Sequence, residues 1–246
     1  MSTAKWLSII AALSFIFTLT MNSLSNTGTL GDGTIATVSA KYSNLFTPAG
    51  YAFSIWGLIY LAMIVFTVIQ IQWAWSSSDW VGANQLRILF IASNFLNAFW
   101  LVAWLNEQLG GALLIMLGLL LVLVSLMVIT NQGPERFGSW SVRYPFQLYA
   151  GWITVAIIAN TSAYLIQIDF SWALSEEAWT MVMLVAALLI YSFVLWNQNA
   201  AVYAAVGIWA TSAIAYKQWE ANPSVAYTAI CVAIVLMLLI LIKVFR

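Results

Sequence analysis

The chain has 246 residues, of which 63% are apolar and only 7% charged, against about 25% charged in ordinary soluble domains. So few charges cannot cover the surface of a soluble fold of this size. That excludes a soluble enzyme, a nucleic-acid binder and a disordered chain, and leaves an all-α polytopic membrane protein. Eight Lys and Arg balance eight Asp and Glu, so no anionic polymer is implied as a partner. The lack of His and the single cysteine, Cys231, remove the commonest metal and haem ligand, the commonest general base and any internal disulfide. No metal site and no required cofactor are expected.

Apolar runs long enough to cross a bilayer, about 20 residues each, fall at roughly 6–23, 51–73, 87–105, 110–130, 146–167, 179–196, 200–216 and 225–243. They predict about eight transmembrane helices. The first run, with Lys5 ahead of it and small residues behind, also has the outline of a signal peptide; we read it as a span. The run at 200–216 is short and alanine-rich, so seven spans is the alternative. With eight spans, Lys5, Arg87, Arg136, Arg143, Lys243 and Arg246 share one side, and Lys41 and Lys217 the other. The positive-inside rule makes the first side cytoplasmic and puts both termini there. The acids segregate the opposite way: Asp32, Glu107, Asp169, Glu176, Glu177 and Glu220 lie outside, and Asp79 and Glu135 inside.

The connections are short except for 24–50, an external segment rich in Gly, Ser and Thr. Such a loop is either a lid or a plain connector. Pro48, Pro145 and Pro223 stand where spans begin, which suits a residue with no N–H to donate. Asn197, Gln198 and Asn199 read as a polar turn. There is no internal repeat of the kind transporters use. No charge is expected deep in a span, which argues against proton relays, voltage sensors and ion-coupled pumps. Lys217, near the end of the seventh run, is expected to snorkel beside Glu220 rather than hold a Schiff base. No nucleotide-binding motif is present.

Fourteen tryptophans demand an account. An interfacial belt accommodates Trp6, Trp73, Trp75, Trp80, Trp140, Trp172, Trp179, Trp196 and Trp219, all near span ends. Trp100, Trp152 and Trp209 stand further in, with Trp56 and Trp104 intermediate. Three runs carry aromatic stripes at helical spacing: Phe53, Trp56 and Tyr60; Asn97, Trp100 and Trp104; and Tyr149, Trp152, Ala156, Asn160 and Tyr164. An unsatisfied Asn is costly in hydrocarbon, so Asn97 and Asn160 should face inward and bring their stripes with them. Spacing alone favours ordinary helix packing, with Asn as interhelical glue. The functional reading is an aromatic-lined pocket for a flat apolar ligand.

The same residues carry a resemblance. FTPAGYAFSIWGLIYLAM (46–63), with Pro48, Tyr51, Trp56 and Tyr60, resembles the second-helix motif of the tryptophan-rich sensory protein/translocator protein (TspO/MBR) family. SNFLNAFWLVAW (93–104) is similar to the family's third-helix pattern through Leu96, Asn97 and Trp100. LYAGWITVAIIAN (148–160) is similar to the fifth-helix pattern through Tyr149, Trp152 and Asn160. Ala49, Tyr51 and Leu148 depart from it: Ala49 and Leu148 stand in place of prolines, and Tyr51 in place of Trp. The resemblance covers residues 1–168 and implies a five-helix bundle, with 169–246 as additional C-terminal transmembrane helices.

What the resemblance implies about function is a pocket beneath the first long loop, binding porphyrins, sterols or synthetic aromatic ligands, often in a homodimer. Transport, sensing and light-dependent porphyrin breakdown are all attributed to the family. The leading expectation is a binding protein for a planar hydrophobic molecule such as a tetrapyrrole; porphyrin, haem or lipid are the candidates for a bound group, and membrane lipid is an expected partner. Its ligand-binding residues would be Tyr51, Phe53, Trp56, Tyr60, Asn97, Trp100, Trp104, Tyr149, Trp152, Ala156 and Asn160. A porphyrin-degrading enzyme is disfavoured, because no His, Cys or carboxylate lies inside to assist. An accessory subunit of a larger membrane complex is the third reading.

Overall fold

The computed structural model describes residues 2–31, 33–76, 80–133, 139–170 and 174–245. Asp32, Asp79, Glu135, Arg136, Trp172 and Arg246 lie outside them, so their expected sides and roles are not addressed by the fold. Among the described residues all regular structure is helical: α1 (Thr3–Leu24), α2 (Ile35–Lys41), α3 (Ile55–Trp75), α4 (Ala83–Leu105), α5 (Leu109–Asn131), α6 (Tyr144–Gln167), α7 (Glu176–Gln198), α8 (Ala201–Gln218) and α9 (Pro223–Val244). A 3-10 turn, Gly50–Ser54, leads into α3. Pro223 opens α9 at its first turn, where a missing N–H costs nothing. Ser175 caps α7, its hydroxyl accepting from the Ala178 N–H.

Seven of these segments are long and apolar enough to cross a membrane. The chain is therefore a multi-pass integral membrane protein. The expected span at 200–216, α8, is an 18-residue helix that does not reach that hydropathy. Its composition has a physical reason. Beside Tyr203, Val206, Ile214 and Gln218, the buried face of α8 carries the small residues Ala204, Gly207, Ala210, Thr211, Ala213 and Ala215, which let neighbouring helices approach closely.

The chain forms two compact units: Met1–Lys41 with Ile59–Phe146, and Tyr42–Leu58 with Gln147–Arg246. Their boundaries run through α3 and α6.

In the first unit α4 packs against α1 and α5. The α1 face is polar and small, burying Ser8, Ala11, Ser14 and Thr18 around Phe15. It meets α4 through a ladder. Asn94 Nδ2 donates to Ser14 Oγ at 3.0 Å, Thr18 Oγ1 donates to Asn94 O at 2.9 Å, and Asn22 Nδ2 donates to Asn97 Oδ1 at 2.9 Å. Beside it Phe15, Phe66, Phe90 and Phe146 form a ring cluster; Phe66 and Phe146 meet at 4.8 Å.

Arg87 corrects an expectation. α4 begins at Ala83, four residues before the expected start at 87, so Arg87 falls in its second turn and is fully buried. Amide groups hold it: Nε donates to Gln70 Oε1 at 3.0 Å, Nη2 to Gln70 O at 2.9 Å and Nη1 to Asn84 Oδ1 at 2.9 Å. Gln70 Nε2 in turn donates to Ser8 O at 3.0 Å, so α1, α3 and α4 share one network. A guanidinium with directed donors to oxygens can be buried where a bare charge cannot.

The second unit is built on α7, α8 and α9. α6 approaches α8 closely at Gly151, where an added Cβ would lie 2.9 Å from Val206 Cβ and 3.0 Å from Tyr203 O. Two buried tyrosines tie the helices. Tyr191 OH donates to Gly151 O at 2.6 Å, and Tyr203 OH shares a 2.7 Å hydrogen bond with Thr154 Oγ1.

Candidate functional site

Within each unit the long loop is hydrogen-bonded to a helix or its end. In the first unit its early part rests on the end of α4: Asn106 Nδ2 donates to Leu30 O at 3.1 Å, and Lys41 pairs with Glu107. Gly31 is required there, since a Cβ would lie 2.5 Å from Leu105 O.

The later part, in the second unit, lies along α8. The Ala49 N–H donates to Ala213 O at 3.3 Å, Lys217 Nζ to Thr47 O at 3.0 Å, Gln218 Nε2 to Leu45 O at 3.0 Å and Trp209 Nε1 to Ala52 O at 3.0 Å. Lys217 thus reaches a main-chain carbonyl, where Glu220 was the expected neighbour.

The expected binding residues divide between the units. In the second, two aromatic pairs meet. Phe53 and Trp152 lie edge to face, with centroids 5.6 Å apart and planes at 87°. Trp56 and Tyr149 do the same at 5.8 Å and 67°. Trp152 and Tyr149 are buried, while Phe53 remains 38% exposed and Trp56 is intermediate. Ala156 is half-buried and Asn160 buried on the same helix. Tyr51 is turned away from these pairs: it stands edge-on to Trp209 at 5.4 Å and to Tyr216 at 5.8 Å.

Phe53 sits on the 3-10 turn, before α3 begins at Ile55, and it and Trp56, three residues on, meet α6 side chains one turn apart. In the first unit are Tyr60, half-buried, and the α4 stripe. Trp100 and Trp104 stack at 6.1 Å and 30°, both buried. The Asn97 amide orientation follows from its partner: its oxygen accepts from Asn22, which leaves its nitrogen as a donor. That nitrogen and the indole N–H groups of Trp100 and Trp104 are buried without an acceptor. Three donors of one polarity thus share one helical face.

Trp73, near the end of α3, is buried at 6% exposure, whereas Trp209, in the middle of α8, is partly exposed. Trp209 and Tyr216 are spaced i, i+7 on α8, the same signal that marked the other stripes. A groove of about 370 Å³ between α8 and α9, lined by Ser212, Tyr216, Trp219 and Ala233 among others, contains none of the expected binding residues.

A family model described as TSPO-like protein matches residues 8–242. The chain belongs to the TSPO-like family. The match runs past residue 168, where the sequence motifs end, so α7, α8 and most of α9 lie within its bounds. Membership and the membrane-spanning helices together make this TSPO-like chain a membrane protein of a kind that binds hydrophobic ligands. Neither a curated protein nor a solved structure matches it.

Proposed function

We propose that this TSPO-like protein binds a planar hydrophobic molecule, in the first instance a tetrapyrrole, at the aromatic set formed by Phe53, Trp56, Tyr149 and Trp152. The observation that carries the reading is the meeting of two separate chain segments as two edge-to-face pairs in one compact unit. Such pairs hold their rings rigid, and the exposed part of Phe53 leaves aromatic surface for a flat partner to stack on. Ala156, one turn beyond Trp152, is a small, half-buried residue. Asn160 on the same helix offers a polar handle. The α4 donors Asn97, Trp100 and Trp104 are read as ligand-facing groups in their own unit. The chain has no His, so a bound haem could not be held by imidazole. Both termini are assigned to the cytoplasmic side from the charge segregation. The partners are a hydrophobic small molecule and membrane lipid.

The test is titration of the purified protein with protoporphyrin IX, followed by the Soret band and by tryptophan quenching. Saturable binding with a shifted Soret band is expected. No saturable change at micromolar protein would overturn the reading.

A further inference from the structure

Sequence patterns leave α8 without a role. Yet Trp209, Ala213 and Lys217, at i, i+4 and i+8 on one of its faces, all bind the main chain of segment 47–52. Trp209 Nε1 donates to Ala52 O at 3.0 Å and Lys217 Nζ to Thr47 O at 3.0 Å; Ala213 O accepts from the Ala49 N–H at 3.3 Å. The Trp209 ring also stands edge-on to Tyr51 at 5.4 Å. The bonds at 47 and 49 bracket Pro48, and the one at Ala52 falls within the Gly50–Ser54 turn, a short 3-10 stretch of a kind with poor internal hydrogen bonding. Ala52, the residue grasped by Trp209, is fully buried and directly precedes Phe53.

We propose that Trp209 and Lys217 are positioning residues for the aromatic site: α8 clasps the main chain of the 3-10 turn and so fixes the angle at which Phe53 meets Trp152. This rests on the reading of Phe53 and Trp152 as ligand-binding residues. It gives the C-terminal helices a part in binding without their touching the ligand. The indole N–H carries the clasp and the ring seats Tyr51, so Trp209→Phe separates the two by keeping an aromatic ring and deleting the donor.

The experiment has two readouts. Phe53 is replaced by 4-fluorophenylalanine and its ¹⁹F resonance recorded in the parent, in Trp209→Phe, in Lys217→Met and in Trp219→Phe. Trp219 is the control, because its ring lies on Tyr227. Protoporphyrin IX affinity is measured for Trp209→Phe, Phe53→Ala and the double variant. The first two α8 variants are expected to shift or broaden the resonance, and the control to leave it unchanged. Trp209→Phe should weaken porphyrin binding about fivefold, the loss that one net hydrogen bond represents. The double variant should bind no more weakly than Phe53→Ala, because Trp209 acts through Phe53. Additive losses in that cycle, or an unchanged resonance at 53, would overturn the proposal. If the parent binds no porphyrin, the ligand reading falls and the resonance alone decides the positioning. If Trp209→Phe does not fold, Lys217→Met is judged by the same resonance.

Discussion

Trp152 and Phe53 stand almost perpendicular, 5.6 Å between ring centroids, with Trp152 buried to 3% and Phe53 partly open. One ring is anchored and the other presents surface. That asymmetry makes Trp152 the better target for mutation.

Trp152→Ala and Trp56→Ala should each weaken porphyrin binding by about 5- to 150-fold, the range corresponding to about 1–3 kcal/mol per aromatic stacking contact. Trp140→Ala, at a residue 84% exposed, is the control. Equal affinity in all three folded variants would remove the site from these residues.

Gly151→Ala and Gly57→Ala should move stability in opposite directions. At Gly151 the new methyl meets Val206 Cβ at 2.9 Å and the Tyr203 backbone oxygen at 3.0 Å, so overpacking should cost about 1–3 kcal/mol. At Gly57, inside α3, nothing lies within 4 Å, and Ala should stabilise the helix by up to about 1 kcal/mol. Thermal unfolding in detergent, followed by circular dichroism, measures both. A Gly151→Ala variant as stable as the parent would show that α6 and α8 are not held this closely.

The Asn22–Asn97 bond should have a coupling energy of about 0.6–1.7 kcal/mol, as interhelical hydrogen bonds in membranes do. A cycle of Asn22→Ala, Asn97→Ala and the double variant, read by unfolding in detergent, gives it. A coupling near zero would mean that α1 and α4 are held by Ser14, Thr18 and Asn94 without this rung.

Cysteine labelling tests the sides of the membrane. Cys231 is exposed and is first changed to Ser. Gly28 has φ +75°, a strained position for a side chain, so the external reporter goes at Thr29 and the terminal one at Phe245. An impermeant reagent on intact cells should label Thr29→Cys and not Phe245→Cys. Labelling of both would put the termini on opposite sides, as seven crossings require. Labelling of position 245 alone would invert the charge assignment.

By itself the sequence determined the class of protein, the places of its long helices within a few residues, and the aromatic positions that carry the family pattern. These are legible because hydropathy and helical period are properties of a run of neighbours in the chain. The polar side of α1 was not read, although Ser8, Ala11, Ser14, Thr18 and Asn22 follow one another at helical spacing, because small polar residues give no hydropathy signal. What only the tertiary structure decided depends on residues far apart in the chain. Arg87 is buried because Gln70, Asn84 and Ser8 supply oxygens around and behind it. Trp73 is buried and Trp209 partly open because burial is set by the helices packed alongside, and periodicity names a face without saying what covers it. Phe53 stands on the 3-10 turn through which the chain enters α3. That turn is held by Trp209, 157 residues away in sequence, at a distance no local pattern can encode.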